Sequence, residues 1–446
     1  MIERATRAVY SALMWSITPL LRIKIARRGK IEAGYLDSVQ QRFGRYEQTT
    51  STGSIWLHAV SLGETRAAAP LIAELRQRMP GMRLLLTSGT ATGRAEAARL
   101  LRPGDMQVWQ PWDTPAAVER FLAHFKPCIG VLMETEIWPN LCAGCERAGV
   151  PLVLANARMS EKSYRRTQPF DWLARPAYRS LAAVWAQTDA DADRLAALGA
   201  PVAGVFGNLK FDARPDPNQR AQGAAWRAGV DRPVLMFASS REGEEALLLQ
   251  FLEKNRAKAL VQRSSSAIHS VVNRVQWLIV PRHPQRFDDV ARLVESHGFQ
   301  VARRSHWGER PPPLAADESV VWLGDSLGEM ALYYSLADVA LLGGSFEPLG
   351  GQNLIEAAAC GCPVVMGPHT FNFAEAAELA LKAGAAQRVD SIEQAIEAAT
   401  AIASDADARE TASSAALAFC AAHRDAARRT AVAIESLIAA RARDSG

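Results

Sequence analysis

The stretch SIWLHAVSLGETRAAAPLIAELRQRM, residues 54–79, decides the fold. Its first seven residues, SIWLHAV, are almost continuously apolar, as a strand covered by helices on both faces should be. Ser61-Leu62-Gly63-Glu64 interrupts the run, and an alanine-rich amphipathic segment follows at once. A strand that passes straight into a helix is the building unit of a parallel α/β sheet. Glu64 stands at the hand-over. An acid there is explained electrostatically, because a helix N-terminus carries partial positive charge. It is equally explained chemically, because strand ends in α/β folds carry reacting groups. The stretch by itself leaves both explanations open.

The same pattern recurs along the chain. RLLLTS (83–88), MQVW (106–109), CIGVLM (128–133), PLVLANA (151–157) and AVWAQT (183–188) read as further strands, separated by helical segments such as ADRLAALGA. Around FGNLKFDARPDPNQR (206–220) the alternation stops and Pro, Asp and Asn accumulate, which predicts a linker over 208–232. A second series then begins with PVLMFAS (233–239), QWLIVP (276–281), SVVWLG (319–324), DVALLGG (338–344) and PVVMG (363–367). The last 50 or so residues, from about 390, are alanine-rich and helical. Two doubly wound α/β domains, 31–207 and 233–400, followed by C-terminal helices over 401–446, are therefore expected, with ligand-binding loops at strand C-terminal ends facing an interdomain cleft. KNRAKALVQRSSSAIHSVVNRVQ (254–276) and the Pro-rich GERPPPLAADE (308–318) read as surface excursions.

Charge is unevenly spread. The chain carries a net +4, yet residues 1–30 alone carry +6, from seven basic residues and Glu3. The basicity therefore belongs to one terminal segment, whereas a nucleic-acid-binding protein spreads it over a folded face. Between Arg7 and Arg22 lies AVYSALMWSITPLL, uncharged but shorter than the roughly 20 apolar residues a membrane span needs. The strongest positive cluster, RIKIARRGK, follows the apolar stretch, and no small-residue cleavage site is evident, which argues against a signal peptide. Residues 1–30 are expected to lie in a membrane interface as a hydrophobic-basic anchor. The six cysteines do not form a disulfide framework at this length, and Cys142-Ala-Gly-Cys145 is half a zinc site at most, so no metal is expected. TDADADRL (188–195) lacks the Gly and Glu of a calcium loop and reads as a helix start.

Several strand-end segments can carry chemistry. In GGSFEPLGGQNLIEAAACGCPVVMG (343–367) a strand runs into a Gly-rich loop, with Gly350 and Gly351 before a helix start near Asn353. Backbone amides there can turn towards an anion, and Glu356 one turn on can accept hydrogen bonds from a sugar diol. VPRHPQRF (280–287) places Arg282 and His283 at another strand end, and ASSREGEE (238–245) places Ser239, Ser240 and Arg241 at a third. Three such loops in one domain suggest an anionic nucleotide-linked ligand. No Walker lysine motif and no G-x-G-x-x-G occurs, so ATP hydrolysis and hydride transfer are not supported. METEIWPNL (133–141) supplies Glu134 and Glu136, which as alternate strand residues would face one way and raise each other's pKa; alternatively one of them caps the next helix.

Together, WLHAVSLGE, ETEIWPNL, GNLKFD, SREGEE, VPRHPQRF and GGSFEPLGGQNLIEAAACGCPVVMGP closely resemble the Kdo (3-deoxy-D-manno-octulosonic acid) transferases of lipopolysaccharide assembly. The resemblance implies a GT-B glycosyltransferase, with two Rossmann-like domains, that moves Kdo from CMP-Kdo to a lipid A precursor (lipid IVA) at the cytoplasmic face of the bacterial inner membrane. It implies that 31–207 handles the acceptor and 233–400 the donor. Glu64 becomes the general base of an inverting displacement at C2 of Kdo, with Glu134 and Glu136 as further catalytic acids. Arg282, His283 and Gly350–Gly351 would stabilise the departing phosphate without a metal or other cofactor, and Glu356 and Asn353 would hold the ribose or cytidine end. Ser239, Arg241, Asn208 and Lys210 would contact phosphate or the Kdo carboxylate. Residues 254–276 are longer than the family pattern before VPRHP, and Arg241 stands where His or another polar residue is equally expected. The alternatives are a transferase using another CMP-activated acidic sugar, such as a sialic acid, and a non-catalytic nucleotide-sugar binding protein; the retained acids speak against the latter.

Overall fold

The computed structural model describes residues 2–50, 52–261, 275–313 and 319–444. The chain forms two compact units, one of residues 1–213 with 423–446 and one of residues 214–422.

The first unit is built on a seven-stranded parallel sheet. Its strands are β1 (Ile55–His58), β2 (Leu84–Ser88), β3 (Met106–Trp109), β4 (Ile129–Met133), β5 (Leu152–Ala157), β6 (Ala183–Ala186) and β7 (Val202–Val205). They lie in the order β3-β2-β1-β4-β5-β6-β7. The chain winds outward from β1 in one direction and returns to start β4 on its other side, so β1 and β4 flank the point where strand order reverses. The sheet is buried on both faces. Trp56 points into one apolar cluster with Phe121, Leu132 and Leu154, while Ile55 and Leu57 point into another with Leu71, Ile72 and Leu75. Those last three come from the helix Leu62–Arg78 and are at most 1% exposed. Burying each is worth about 1.5–3 kcal/mol, which fixes that helix, and the SLGE turn at its start, against β1.

The second unit holds another seven-stranded parallel sheet: β8 (Val234–Ser240), β9 (Gln276–Pro281), β10 (Gln300–Arg303), β11 (Val320–Leu323), β12 (Val339–Leu342), β13 (Val364–Met366) and β14 (Ala386–Arg388). The order is β10-β11-β9-β8-β12-β13-β14, so the reversal here falls between β8 and β12.

Residues 208–232 are not an irregular linker. Leu209–Asp212 forms a 3-10 turn whose Leu209 and Phe211 are buried in the first unit, and Pro217–Ala228 is a helix packed on Met330–Leu336 of the second. Nor do the C-terminal helices form one group. Ala426–Asp444 returns to the first unit, where Ala426, Ala427, Ala431 and Ile434 join the Leu71 cluster. Asp212 receives its start, accepting from the amides of Asp425 (2.6 Å) and Ala427 (2.8 Å). The 254–276 excursion begins as the end of the helix Glu244–Val261, and residues 262–274 and 314–318 lie outside the described residues.

Candidate active site

Glu64 opens the first unit's site. Ser61 caps the helix Leu62–Arg78, its hydroxyl accepting from the Glu64 amide at 3.3 Å. The Glu64 carboxylate reaches back, with Oε2 accepting from the Val60 amide at 2.8 Å and Oε1 from the Ser61 hydroxyl at 3.0 Å. The helix-start explanation of Glu64 thus applies: it helps cap the helix and is held in one orientation by doing so. Burial raises its pKa from 4.5 to about 7, against the lowering by the Val60 amide, and the charges of Glu134 and Glu136 push the same way as burial. A carboxyl poised near neutrality is suited to general-base work.

Glu134 and Glu136 lie beyond β4, but not as alternate strand residues. The strand ends at Met133, and Glu134 adopts a left-handed φ of +56°, a conformation non-glycine residues avoid and one that clusters at functional sites. Neither acid caps the next helix. Asp113, 3% exposed, performs that role for Pro139–Ala148, accepting from the amides of Asn140 (3.0 Å) and Leu141 (2.7 Å). Glu134 instead pairs with Lys210 at 3.6 Å. Glu136 accepts from the Trp138 indole at 2.9 Å, and burial raises its pKa. Lys210 is thus part of the first unit's carboxylate cluster. Asn208 is also in the first unit, donating to Gln187 Oε1 at 3.0 Å. Asn156 (φ +53°) completes this edge, its carboxamide oxygen accepting from the Leu209 amide.

In the second unit the loops after β8, β9 and β12 gather at the β8/β12 reversal. Gly343 must be glycine, because a Cβ there would lie 2.3 Å from the Ser239 carbonyl oxygen. Ser239 has a φ of +55°, at the point where the register of β8 on β9 shifts between Ala238 and Ser240. Arg282 Nε donates to Gln352 Oε1 at 3.2 Å, and Arg241 pairs with Glu242 at 3.0 Å. His283 is held below its usual pKa by partial burial and then by Arg241, so it stays a neutral imidazole among cations. Gly350 and Gly351 both take left-handed φ, which lets this loop fold back so that the Gly351 amide reaches the Gly344 carbonyl. The helix that follows has only six residues, and Asn353 caps it, accepting from Ile355 at 3.1 Å while its amide donates to Glu356 at 3.2 Å.

Two neighbouring carboxylates brace these loops. Glu244, fully buried, accepts from the amides of Arg241 (2.9 Å), Gly344 (2.7 Å) and Phe346 (3.0 Å), tying the loop after β8 to the loop after β12. The Gly344 and Phe346 amides of the Gly-rich loop are thus already engaged by an internal anion. Glu245 accepts from Ser240 and takes a two-pronged bond from Arg286 (2.8 and 3.1 Å), anchoring the loop after β9. Sequence reasoning singled out Arg241 and passed over Glu244, Glu245 and Asp113. An acid pair directly after a strand-end loop was the available signal for the first two.

Among the described residues no group of three His, Cys, Asp or Glu is set to hold a metal. Cys142 and Cys145 are buried in the helix Pro139–Ala148, where burial raises the Cys142 thiol to about 12. A groove of about 740 Å³, lined by Lys126, Arg147 and Arg441, opens at the N-terminal ends of β4 and β5, opposite to the end where Glu64 and Glu134 lie.

Two of these loop sets, SLGE with ETE and SREGEE with GGSFEP, sit at the reversal points of doubly wound sheets, which is where such folds bind ligands. The family model for 3-deoxy-D-manno-octulosonic-acid transferase (kdotransferase) matches residues 37–213. A 3-deoxy-D-manno-octulosonic acid transferase of Bordetella pertussis is 42% identical over 438 residues, covering 96% of this chain and 99% of that protein. The chain belongs to the 3-deoxy-D-manno-octulosonic-acid transferase family. The transferase of the same name from Haemophilus influenzae is 31% identical, covering 88% of this chain and 89% of its own length. A glycosyltransferase from Rickettsia africae superposes with a TM-score of 0.54 at 13% identity, covering 87% of this chain and 98% of that one, a likeness of fold alone. Both units are thus parallel α/β domains of the kind found in GT-B glycosyltransferases, and the Kdo transferase family places this chain among the glycosyltransferases.

Proposed function

We propose that the protein transfers Kdo from CMP-Kdo to the lipid A precursor lipid IVA in lipopolysaccharide assembly, by one inverting displacement. The observation that carries the mechanism is Glu64, held at both oxygens and shifted to about 7. Its carboxylate takes the proton of the acceptor sugar hydroxyl as that oxygen bonds to C2 of Kdo. The C2–O bond to phosphate breaks on the opposite face, and CMP leaves with the electron pair. Arg282 and Arg241 meet the charge that grows on the phosphate, and neutral His283 can donate a further hydrogen bond. Glu356 and Asn353 take the ribose or cytidine end. The braced loops after β8, β9 and β12 present these groups without needing to reorganise, which is the main source of transition-state stabilisation in such sites. Glu134 is ion-paired with Lys210, and Glu64 is the carboxylate that takes the proton in this proposal.

Attachment to the cytoplasmic face of the inner membrane belongs to the same proposal. None of the described helices is long and apolar enough to cross a membrane. In the helix Ile2–Gly29, however, Met14 and Ile25 pack inward while Val9, Leu13, Leu20 and Ile23 are 50–67% exposed on the opposite side. Arg22, Lys24 and Arg27 flank them, and Ser11 docks the helix on Asn140 at 2.9 Å. An apolar stripe with basic neighbours suits an anionic bilayer surface.

Mass spectrometry of lipid IVA after incubation with CMP-Kdo tests the activity, with CMP-sialic acid in a parallel reaction. Gains in whole Kdo units support the proposal. Transfer from CMP-sialic acid alone would replace the donor, and no transfer from either, with an active control, would reject it. Co-sedimentation with anionic and neutral vesicles tests the membrane contact. Leu13→Asp with Leu20→Asp should reduce binding to the anionic vesicles at least tenfold, and undiminished binding would refute the contact.

A further inference from the structure

Arg42, in the 3-10 turn Val39–Phe43, is 5% exposed, yet among the described residues no carboxylate stands within ion-pair distance of it. Its guanidinium carbon lies 3.8 Å from the centre of the Trp109 ring and 5.6 Å from that of Trp112. Nη2 donates to the Gly89 carbonyl at 3.2 Å, which leaves Nε buried without an acceptor and Nη1 unbonded. The Trp112 indole N–H and the Ser88 hydroxyl are also buried without a partner. Arg94, from the helix Ala91–Ala98, stands 4.9 Å from the centre of the same Trp109 ring and donates to Gln41 Oε1 at 3.3 Å. Arg28 donates to the Tyr35 hydroxyl at 3.2 Å, and its charge, like that of Arg94, reaches Arg42. Asp37 acts on Arg94 from beyond ion-pair distance and is itself exposed.

A cation over an aromatic ring is ordinary packing when it stands alone. Three arginines gathered without an ion-paired acid are not, because a charge taken out of water is normally paired. The open groups beside them are two buried N–H donors and a hydroxyl, and buried polar groups of this kind call for a partner. An anion with several acceptor oxygens satisfies them together, and the guanidinium fork matches phosphate. The cluster stands at the carboxyl ends of β2 and β3, the same edge of the sheet as the Glu64 loop. Val60, whose amide donates to Glu64, accepts through its carbonyl from the Gly89 amide at 3.1 Å, and Gly89 accepts in turn from Arg42. The base and the arginine are thus anchored to neighbouring turns of backbone. Arg28 belongs to the last turn of the helix Ile2–Gly29, the element proposed to meet the membrane. We propose that Arg42 and Arg94 bind a phosphate monoester of the acceptor glycolipid and so hold its sugar hydroxyl against Glu64. Lipid IVA, a disaccharide phosphorylated on each sugar, supplies such a group. This inference rests on the acceptor proposed above for its kinetic consequence, but not for the binding of the phosphorylated sugar itself.

Calorimetry on the full chain tests that binding without turnover, with the water-soluble bisphosphorylated disaccharide obtained by deacylating lipid IVA. Wild type should bind it about tenfold or more tightly than the same disaccharide stripped of phosphate, and Arg94→Gln and Arg42→Lys should each remove most of that preference. Equal affinity for the two disaccharides, or a preference untouched in both variants, would overturn the proposal. Inorganic phosphate binding as tightly as the disaccharide would make this a free-anion site. Loss of binding to phosphatidylglycerol vesicles in both variants, with the disaccharide unaffected, would make it a headgroup site. Either result replaces the acceptor. Transfer kinetics then test the consequence. The variants should raise the KM for lipid IVA by about 10–100-fold, leave the KM for CMP-Kdo in place, and lose nothing further on an acceptor lacking the bound phosphate. A loss of the same size on acceptors with and without each phosphate would show a structural role and refute the site. Should wild type transfer to no acceptor at all, the proposed activity fails instead, and the calorimetric result is untouched.

Discussion

Glu64→Gln separates the chemical from the structural work of one side chain. Glutamine can keep both observed contacts, accepting from the Val60 amide with its oxygen and donating to the Ser61 hydroxyl with its nitrogen. It cannot accept a proton, so turnover should fall by about 10²–10⁴-fold, the usual contribution of a general base. Stability should move the other way. Glu64 has a pKa raised from 4.5 to about 7 in the folded chain, chiefly by burial. Folding therefore favours its protonated form, and the resulting stability is present below about pH 4.5 and lost as pH rises to about 7. A shift of that size corresponds to about 3 kcal/mol as an upper bound, because the carboxyl is only partly buried. The glutamine variant lacks this penalty. It should unfold with the wild type at pH 4.5 and a few degrees above it at pH 8, in matched thermal melts. Circular dichroism melts at both pH values, with lipid IVA turnover beside them, make the assay. A variant that keeps more than a tenth of wild-type turnover would refute the base. Equal melting differences at the two pH values would refute the buried, poised carboxyl.

Further outcomes follow from the donor loops and the helix docking. Glu244→Ala leaves three buried amides without an acceptor and should raise the KM for CMP-Kdo at least tenfold while costing roughly 3 kcal/mol or more of stability, measured by donor titration and chemical denaturation. An unchanged KM would show that the brace does not serve the donor. Arg282→Ala removes the charge proposed to meet the departing phosphate and should lower kcat/KM by about 10–100-fold, in steady-state kinetics that should also show no response to a chelator. Asp113→Ala frees the amides of Asn140 and Leu141 and should lower stability by about 2 kcal/mol, with the helix Ile2–Gly29 more readily cleaved in limited proteolysis.

The sequence reading located eleven of the strands because their apolar runs are nearly unbroken, as in IWLH and VLMFA. It passed over β7, β10 and β14, whose sequences VAGV, QVAR and AQR carry few large apolar residues and lie partly exposed at sheet edges. Edge strands are held by pairing with a neighbour, and that partner is not adjacent in sequence. The same limit explains the site. Glu64, Glu134 and Arg282 were visible because each follows a strand directly. The company they keep was not, since Lys210 reaches Glu134 from 76 residues further on and Glu244 reaches Gly344 from 100 residues away. Nor does a period-two pattern foresee that β4 ends at Met133 and turns left-handed at Glu134.

The helix Ala426–Asp444, received by Asp212, makes the second unit an insertion within the first. On a ribosome the chain emits the β1–β7 sheet early, yet the segment that covers Leu71, Ile72 and Leu75 emerges only after the second unit. The first unit must therefore wait, with an apolar face open, through the synthesis and folding of some two hundred residues of the second. A stop codon or proteolytic cut just before Ala426 would leave the second unit's residues complete and strike the unit that holds Glu64. The core of the first unit is thereby closed by residues that follow the whole of the second in the chain.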